Sequence, residues 1–154
     1  MDKEGEKMAI VGMMIKGIHA SKSEEVTGNV KVNNGTNIKD AHETELALLN
    51  KKGIAVEFEF KTSYQVGNAK KPYAEIIING DILLVEEKHK DILDKWKKEK
   101  KLPDHMNIVI VNAVLRKCLI EALQLSEKLN LPPPLVLPFA TEKAQEEKES
   151  RYIG

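Results

Sequence analysis

Between residues 54 and 64 the chain alternates. Ile54, Val56, Phe58, Phe60, Thr62 and Tyr64 take every second position, with Ala55, Glu57, Glu59 and Lys61 among the residues between them. Successive side chains of a strand point to opposite faces. The spacing therefore predicts a strand with Val56, Phe58 and Phe60 on a buried face and the charges on the other. Asn50-Lys51-Lys52-Gly53 reads as a turn before it, and Gly67, Asn68 and Pro72 mark a loop after it. Residues 73–85 predict the next strand, with Ile76, Ile78, Gly80, Ile82 and Leu84 on one face and Ile77, Leu83 and Val85 on the other. A strand that is apolar on both faces must be covered on both. One cover is the protein's own helices, and the other is a second subunit or a ligand. Residues 8–20, rich in Ile, Val and Met, predict a first strand in which Gly12 and Gly17 mark a bulge or a close backbone approach. Residues 29–49 are less regular. Val30, Val32 and Ile38 with a turn signal at Asn33-Asn34-Gly35 predict one long irregular strand or two short ones, with a helical turn over 41–50 as the alternative.

After Glu86 the period changes. His89, Ile92, Leu93 and Trp96 fall at i, i+3, i+4 and i+7, one face of a short helix that ends near Leu102-Pro103. Asp104 is an expected N-cap for a long helix from about His105 to Leu129. Ile108, Val111, Leu115, Cys118, Ala122, Leu125 and Leu129 form the expected buried stripe, and Lys117, Glu121, Gln124 and Lys128 the polar face. Ile110, Ala113, Val114, Ile120 and Leu123 widen the apolar surface, so this helix is expected to be covered on more than one side. Pro132-Pro133-Pro134 forces an extended exit that lays down Leu135, Val136, Leu137 and Phe139. The fold class that follows is α+β: a four-stranded, mostly antiparallel sheet followed by a short and a long helix. A length of 154 residues suits a single domain, 1–154, with a charged, frayed or helical tail over 141–154.

Composition removes several function classes. Lys+Arg and Asp+Glu stand at 24 each, and zero net charge argues against general attraction to nucleic acid or anionic membranes. The basic run at 95–101 reads as a solvated helix face. The N-terminus carries charges of both signs without a signal-peptide pattern, and the longest apolar runs fall well short of the roughly 20 residues of a membrane helix. One cysteine excludes an internal disulfide and fits a reducing compartment, so a soluble cytoplasmic protein is expected.

No catalytic constellation emerges. His19, His42, His89 and His105 are scattered without the spacing of metal ligands, and each reads as a surface or edge residue. Cys118 lies on the apolar stripe and reads as a buried small hydrophobe, not a nucleophile. The phosphate-loop, dinucleotide and nucleophile-elbow patterns do not occur. Glu57/Glu59 and Glu86/Glu87 sit on strand exteriors and ends, where solubility explains them. No enzyme, cofactor or metal is expected. The helices follow the strands, unlike a hot-dog thioesterase, and neither interleaved helices nor exposed aromatic motifs of an RNA-binding sheet are present.

The second helix and its exit carry a resemblance. Asn107-Ile108, then Arg116-Lys117-Cys118-Leu119-Ile120, then Leu129-Asn130-Leu131-Pro132-Pro133 resemble SecB, the tetrameric export chaperone family, in which a similar Asn-Ile, an Arg-x-Cys-Ile and a Leu-Asn-Leu-x-Pro exit occur at comparable spacing. The residue match covers about the last third of the chain, and the order of elements extends it to nearly all. The chain departs from the family in being neutral where SecB is strongly acidic, and in being only 5% aromatic where SecB has an aromatic-rich client groove. The resemblance implies a dimer that pairs into a tetramer and holds extended, unfolded or precursor polypeptide in apolar grooves.

The function expected is an ATP-independent holdase-type chaperone, with the link to protein export that the resemblance implies. An oligomeric adaptor or scaffold with one folded partner is the alternative, and an enzyme whose site forms between subunits ranks third. Met8, Met13 and Met14 suit an adaptable binding surface, though ordinary core is the commoner role. Phe58, Phe60, Tyr64, Trp96, Leu135, Leu137 and Phe139 are the expected polypeptide-binding residues. Extended clients need pockets at alternating side chains and an open edge or groove, and these residues are the richest apolar source. Core under the long helix is the competing role for Phe58 and Phe60.

Overall fold

The computed structural model describes residues 8–23 and 28–135. Four strands, β1 (Ala9–Lys22), β2 (Val30–Leu46), β3 (Lys51–Val66) and β4 (Ala74–Val85), precede two helices, α1 (His89–Glu99) and α2 (Asp104–Lys128). The strands form one sheet in the order β1-β4-β3-β2, and every pairing is antiparallel. The α+β arrangement expected from periodicity is the one observed. The expected tail at 141–154 lies outside the described residues, as do Val136, Leu137 and Phe139.

In β1 the register slips between Ile10 and Gly12 and again between Ile15 and Gly17, so the two glycines do stand beside bulges. β2 is one strand. It runs straight through Asn33-Asn34-Gly35, pairing them with Ser63, Thr62 and Lys61 in β3. The turn signal is overridden because Asn34 is used inside the sheet: its Oδ1 accepts from Thr62 Oγ1 at 2.7 Å, and its Nδ2 donates to the Pro134 carbonyl at 2.7 Å. The alternative of a helical turn holds only over Ala47–Leu49, a single 3₁₀ turn, after which Asn50 takes a left-handed conformation (φ 52°) and reverses the chain. The turn expected at 50–53 is therefore displaced, and Lys51 to Gly53 already belong to β3. Gly53 has to be glycine, since a Cβ there would run into the Leu84 carbonyl oxygen. Gly80 is held by the same rule against the Met14 carbonyl.

The core lies between one face of the sheet and the helices. Val56, Phe60, Tyr64, Ile76, Ile78, Ile82 and Leu84 carry no exposed area. The opposite face is mixed, with Ile77, Leu83 and Val85 half-buried beside Glu57 and Glu59. α1 packs against β2 and β3 through Ile92, Leu93 and Trp96, as its spacing predicted, and α2 lies over β2, β3 and β4.

The buried stripe of α2 is not the expected one. Met106, Ile110, Val114, Cys118, Ala122 and Ser126 are buried at a strict i+4 spacing. Of the stripe expected from sequence only Cys118 and Ala122 are fully buried. Val111, Leu115, Leu125 and Leu129 lie half-buried on its flanks, and Ile108 is 59% exposed. Pro103, not Asp104, is the N-cap; Asp104 sits in the first turn, where a carboxylate suits the positive end of the helix. Burial pushes the Cys118 thiol up to about 11, so it is a neutral packing group at ordinary pH.

The chain leaves α2 along the sheet and is tied down there. Tyr64 Oη donates to the Pro132 carbonyl at 2.9 Å, and Lys22 Nζ donates to the Leu129 carbonyl at 2.9 Å. Burial pushes the Tyr64 phenol up to about 12, with the neighbouring Tyr73 adding to the rise. A folded-state value above the ordinary 10 favours the neutral phenol in the native protein. That contribution to stability is full below pH 10 and is lost as pH rises from about 10 through 12. Denaturant midpoints at pH 9 and pH 11 should therefore differ, and the difference should shrink in Tyr64→Phe. An unchanged difference would show that the phenol is not the titrating group.

Candidate functional site

A cleft of about 430 Å³ opens where the free edge of β2 meets the end of α1 and the start of α2. Thr36, Asn37 and Ile38 form one wall, Trp96 and Leu102 the second, and Asn107 and Val111 of α2 the third. Lys100, Lys101 and Asp104 stand at its rim. The walls mix the apolar side chains of Ile38, Trp96, Leu102 and Val111 with the polar ones of Thr36, Asn37 and Asn107, and the rim is charged. Thr36 Oγ1 is buried and has no hydrogen-bond partner among the described residues. β2 pairs with β3 on one side only, so its outer backbone borders the cleft unpaired within the sheet. An open strand edge beside apolar side chains is the geometry that accepts an extended peptide.

Two carboxylates of β2 hold the α1 wall in place. Trp96 Nε1 donates to Asp40 Oδ1 at 3.1 Å, and His89 Nε2 lies 2.9 Å from Glu43 Oε2. The indole hydrogen bond, with a smaller one from the Ala41 backbone, holds the Asp40 carboxyl below the usual carboxylate range. The Glu43 carboxyl is held down chiefly by His89, with Lys52 nearby at 3.7 Å. α1 ends at Lys100, which takes a left-handed conformation (φ 57°) and places its Nζ 5.4 Å from the Trp96 ring centroid.

The structure separates the residues singled out in the sequence. Phe58, Phe60 and Tyr64 are core: at most 1% of each is exposed, and in this packing they face the helices. Trp96 is 6% exposed and forms part of the cleft wall. Leu135 is 36% exposed at the end of the described exit; Leu137 and Phe139 lie beyond it.

Other apolar groups are exposed outside the expected polypeptide-binding residues. Ile108, Val109 and Ile120 stand out from α2, and Val11, Met14 and Ile18 from β1. At the end of the β2–β3 hairpin, Val11, Leu83, Leu48 and Leu49 help line a second cleft of about 270 Å³, with Leu48 fully exposed. The double leucine at 48–49 beside a turn was the available signal.

No family model matches this sequence, and no curated protein matches it. Among solved structures the fold is similar to that of a Mycobacterium tuberculosis protein, the Rv1957 SecB-like chaperone in complex with a ChAD peptide from the Rv1956 HigA1 antitoxin. The TM-score is 0.54 and the identity 12%, over 92% of this chain and 99% of that one. At that identity the likeness is one of fold: the chain has a distant SecB-like fold. No helix among the described residues is long and apolar enough to cross a membrane.

Proposed function

We propose that this protein is a chaperone-like holdase that binds extended, non-native polypeptide without ATP and works as a homo-oligomer. The observation that carries the reading is apolar surface left over after the core is complete. The sheet face under the helices is sealed, yet Ile108, Val109, Ile120, Val11, Met14, Ile18, Leu48 and Leu49 remain exposed. Exposed apolar patches beyond a scattering of single residues mark interaction surfaces. The outer surface of α2 and the edge of β1 are assigned to contacts between copies. The β2-edge cleft is assigned to the client, whose backbone would extend the sheet while its side chains enter against Ile38, Trp96 and Val111.

The test uses the full chain and a chemically unfolded client. Dilution of the client into the protein should be followed by suppressed light scattering and a shift in the emission of Trp96, the single tryptophan. Ile38→Asp and Val111→Asp, checked for folding by circular dichroism, should each weaken protection by about tenfold, the scale of one lost apolar pocket contact. Full protection in both variants with an unmoved Trp96 emission would place the client elsewhere.

The polar rim favours a second reading. Lys100, Lys101, Asp104, Asn37 and Asn107 suit one defined peptide better than any apolar chain. An adaptor of that kind would bind a single partner segment tightly and leave aggregation of unrelated clients unchecked.

A further inference from the structure

Across three strands the register brings a row of carboxylates together. Asp40 of β2 pairs with Glu57 of β3, which pairs with Asp81 of β4. His42, two residues after Asp40, joins the first two. One donor atom from each of Asp40, His42 and Glu57 lies within 4.8 Å of the others, and His42 Nδ1 is 3.7 Å from Glu57 Oε2. We propose that Asp40, His42 and Glu57 form a binding site for a divalent first-row transition metal, with Zn²⁺ as its best fit.

The donor set is what such an ion takes. One imidazole and two carboxylates suit borderline cations such as Zn²⁺, Ni²⁺ and Cu²⁺, whereas Mg²⁺ and Ca²⁺ prefer oxygen alone. Bonds of 2.0–2.1 Å put neighbouring ligand atoms of a tetrahedral Zn²⁺ about 3.3 Å apart. The donor atoms lie within 4.8 Å of one another, so they must draw closer by side-chain rotation to reach it. Three protein ligands leave a position for water or another donor.

Two further features set this cluster apart from ordinary surface acids. The first is an outer partner: Asp40 already gives Oδ1 to the Trp96 indole at 3.1 Å, which fixes the orientation of its carboxylate. Metal-binding carboxylates are commonly held by such a hydrogen bond. The bulge between Ile38 and Asp40 sets the position of this residue at the sheet edge. The second is Asp81. Its side chain is only 9% exposed, it stands beside Glu57 in register, and its Oδ1 is buried without a hydrogen-bond partner among the described residues. Lys16 reaches only the other oxygen, at 2.6 Å. A buried carboxylate oxygen without a donor is costly, and positive charge on the neighbouring strand would offset part of that cost.

The site also touches the cleft. An ion on Asp40 would lock the acceptor of Trp96 and with it one wall of the proposed client groove. The metal proposal stands whether or not clients bind there, because its test needs no client.

Untagged full-length protein, freed of metal by chelation, should be titrated with ZnCl₂ by calorimetry, and with NiCl₂ or CuCl₂ by quenching of Trp96. The expected result is saturable binding of one Zn²⁺ per chain, quenching of Trp96 by the paramagnetic ions, and no response to MgCl₂. His42→Ala and Glu57→Gln should each lower Zn²⁺ affinity at least tenfold, while His19→Ala leaves it unchanged. His42→Gln serves as the second variant should His42→Ala disturb folding. Saturation only at millimolar Zn²⁺, an equal response to MgCl₂, or undiminished affinity in a folded His42 variant would each overturn the proposal.

Discussion

Phe60→Ala is expected to destabilise the protein by about 3–5 kcal/mol, the range for deleting a fully buried aromatic ring. Phe60 carries no exposed area, and its neighbours in the sheet, Thr36 on β2 and Ile78 on β4, hold its backbone on both sides. The surrounding core includes Val56, Phe58 and Ile78, so collapse around the missing ring would be partial. The experiment also decides between two roles. If Phe60 were a client contact on an open groove, truncation would leave the urea midpoint nearly unchanged and abolish client protection. As a core residue it should lower the midpoint sharply, while whatever fraction stays folded still protects. A loss of stability under about 1 kcal/mol, the level of an ordinary surface change, would contradict the packing described.

The second large effect concerns assembly. Ile108 and Ile120 are 59% and 58% exposed, and each points away from the buried i+4 stripe of α2. Twelve residues apart, they stand about 18 Å from each other along the helix. Each isoleucine is worth about 1.5–3 kcal/mol when buried, and a symmetric contact counts it on both copies. A micromolar dimer is held by only about 8 kcal/mol. Ile108→Asp together with Ile120→Asp should therefore convert an oligomer into single chains, seen as a fall in native mass by light scattering. Neither residue belongs to the core, so the circular dichroism spectrum and the Trp96 environment should stay as they were. A native mass unaffected by both charges would move the subunit contact to the β1 edge. A single-chain mass in the unaltered protein would end the oligomer reading.

Of the two roles open to Phe58 and Phe60, core or client contact, burial favours core. Phe58 and Phe60 were selected because they are the richest apolar residues of the chain, and for that reason the fold uses them as core. The cleft proposed for the client has a more modest apolar lining: Ile38 beside a bulge, the flank of Trp96, Val111 on the side of α2. Nothing in their local spacing distinguishes them from other half-buried residues. The Asp40–His42–Glu57 group was missed for a related reason. His42 and Asp40 are close in sequence, but Glu57 joins them only through the β2–β3 register, and no metal-ligand spacing along the chain announces it.

Local pattern alone establishes the set of elements and the inner faces of β3, β4 and α1. Alternation in β3 and β4 and the i, i+3, i+4, i+7 spacing of α1 are local signals. They depend only on how side chains project from a strand or a helix, so the four strands, the short helix and the long helix were readable without a partner in view. Tertiary structure decided three things. It placed β1 beside β4, at the edge opposite β2. It carried β2 through an apparent turn, because Asn34 finds Thr62 and Pro134 only when the exit from α2 lies on the sheet. It also chose the rotation of α2. That helix is apolar on several sides, so its periodicity does not single out one stripe. The sheet takes the ridge from Met106 to Ser126, where Cys118, Ala122 and Ser126 are small enough for close approach, and leaves Ile108 and Ile120 outward. A one-dimensional pattern records which residues avoid water; the shape of the opposing surface decides which of them find a place in the core.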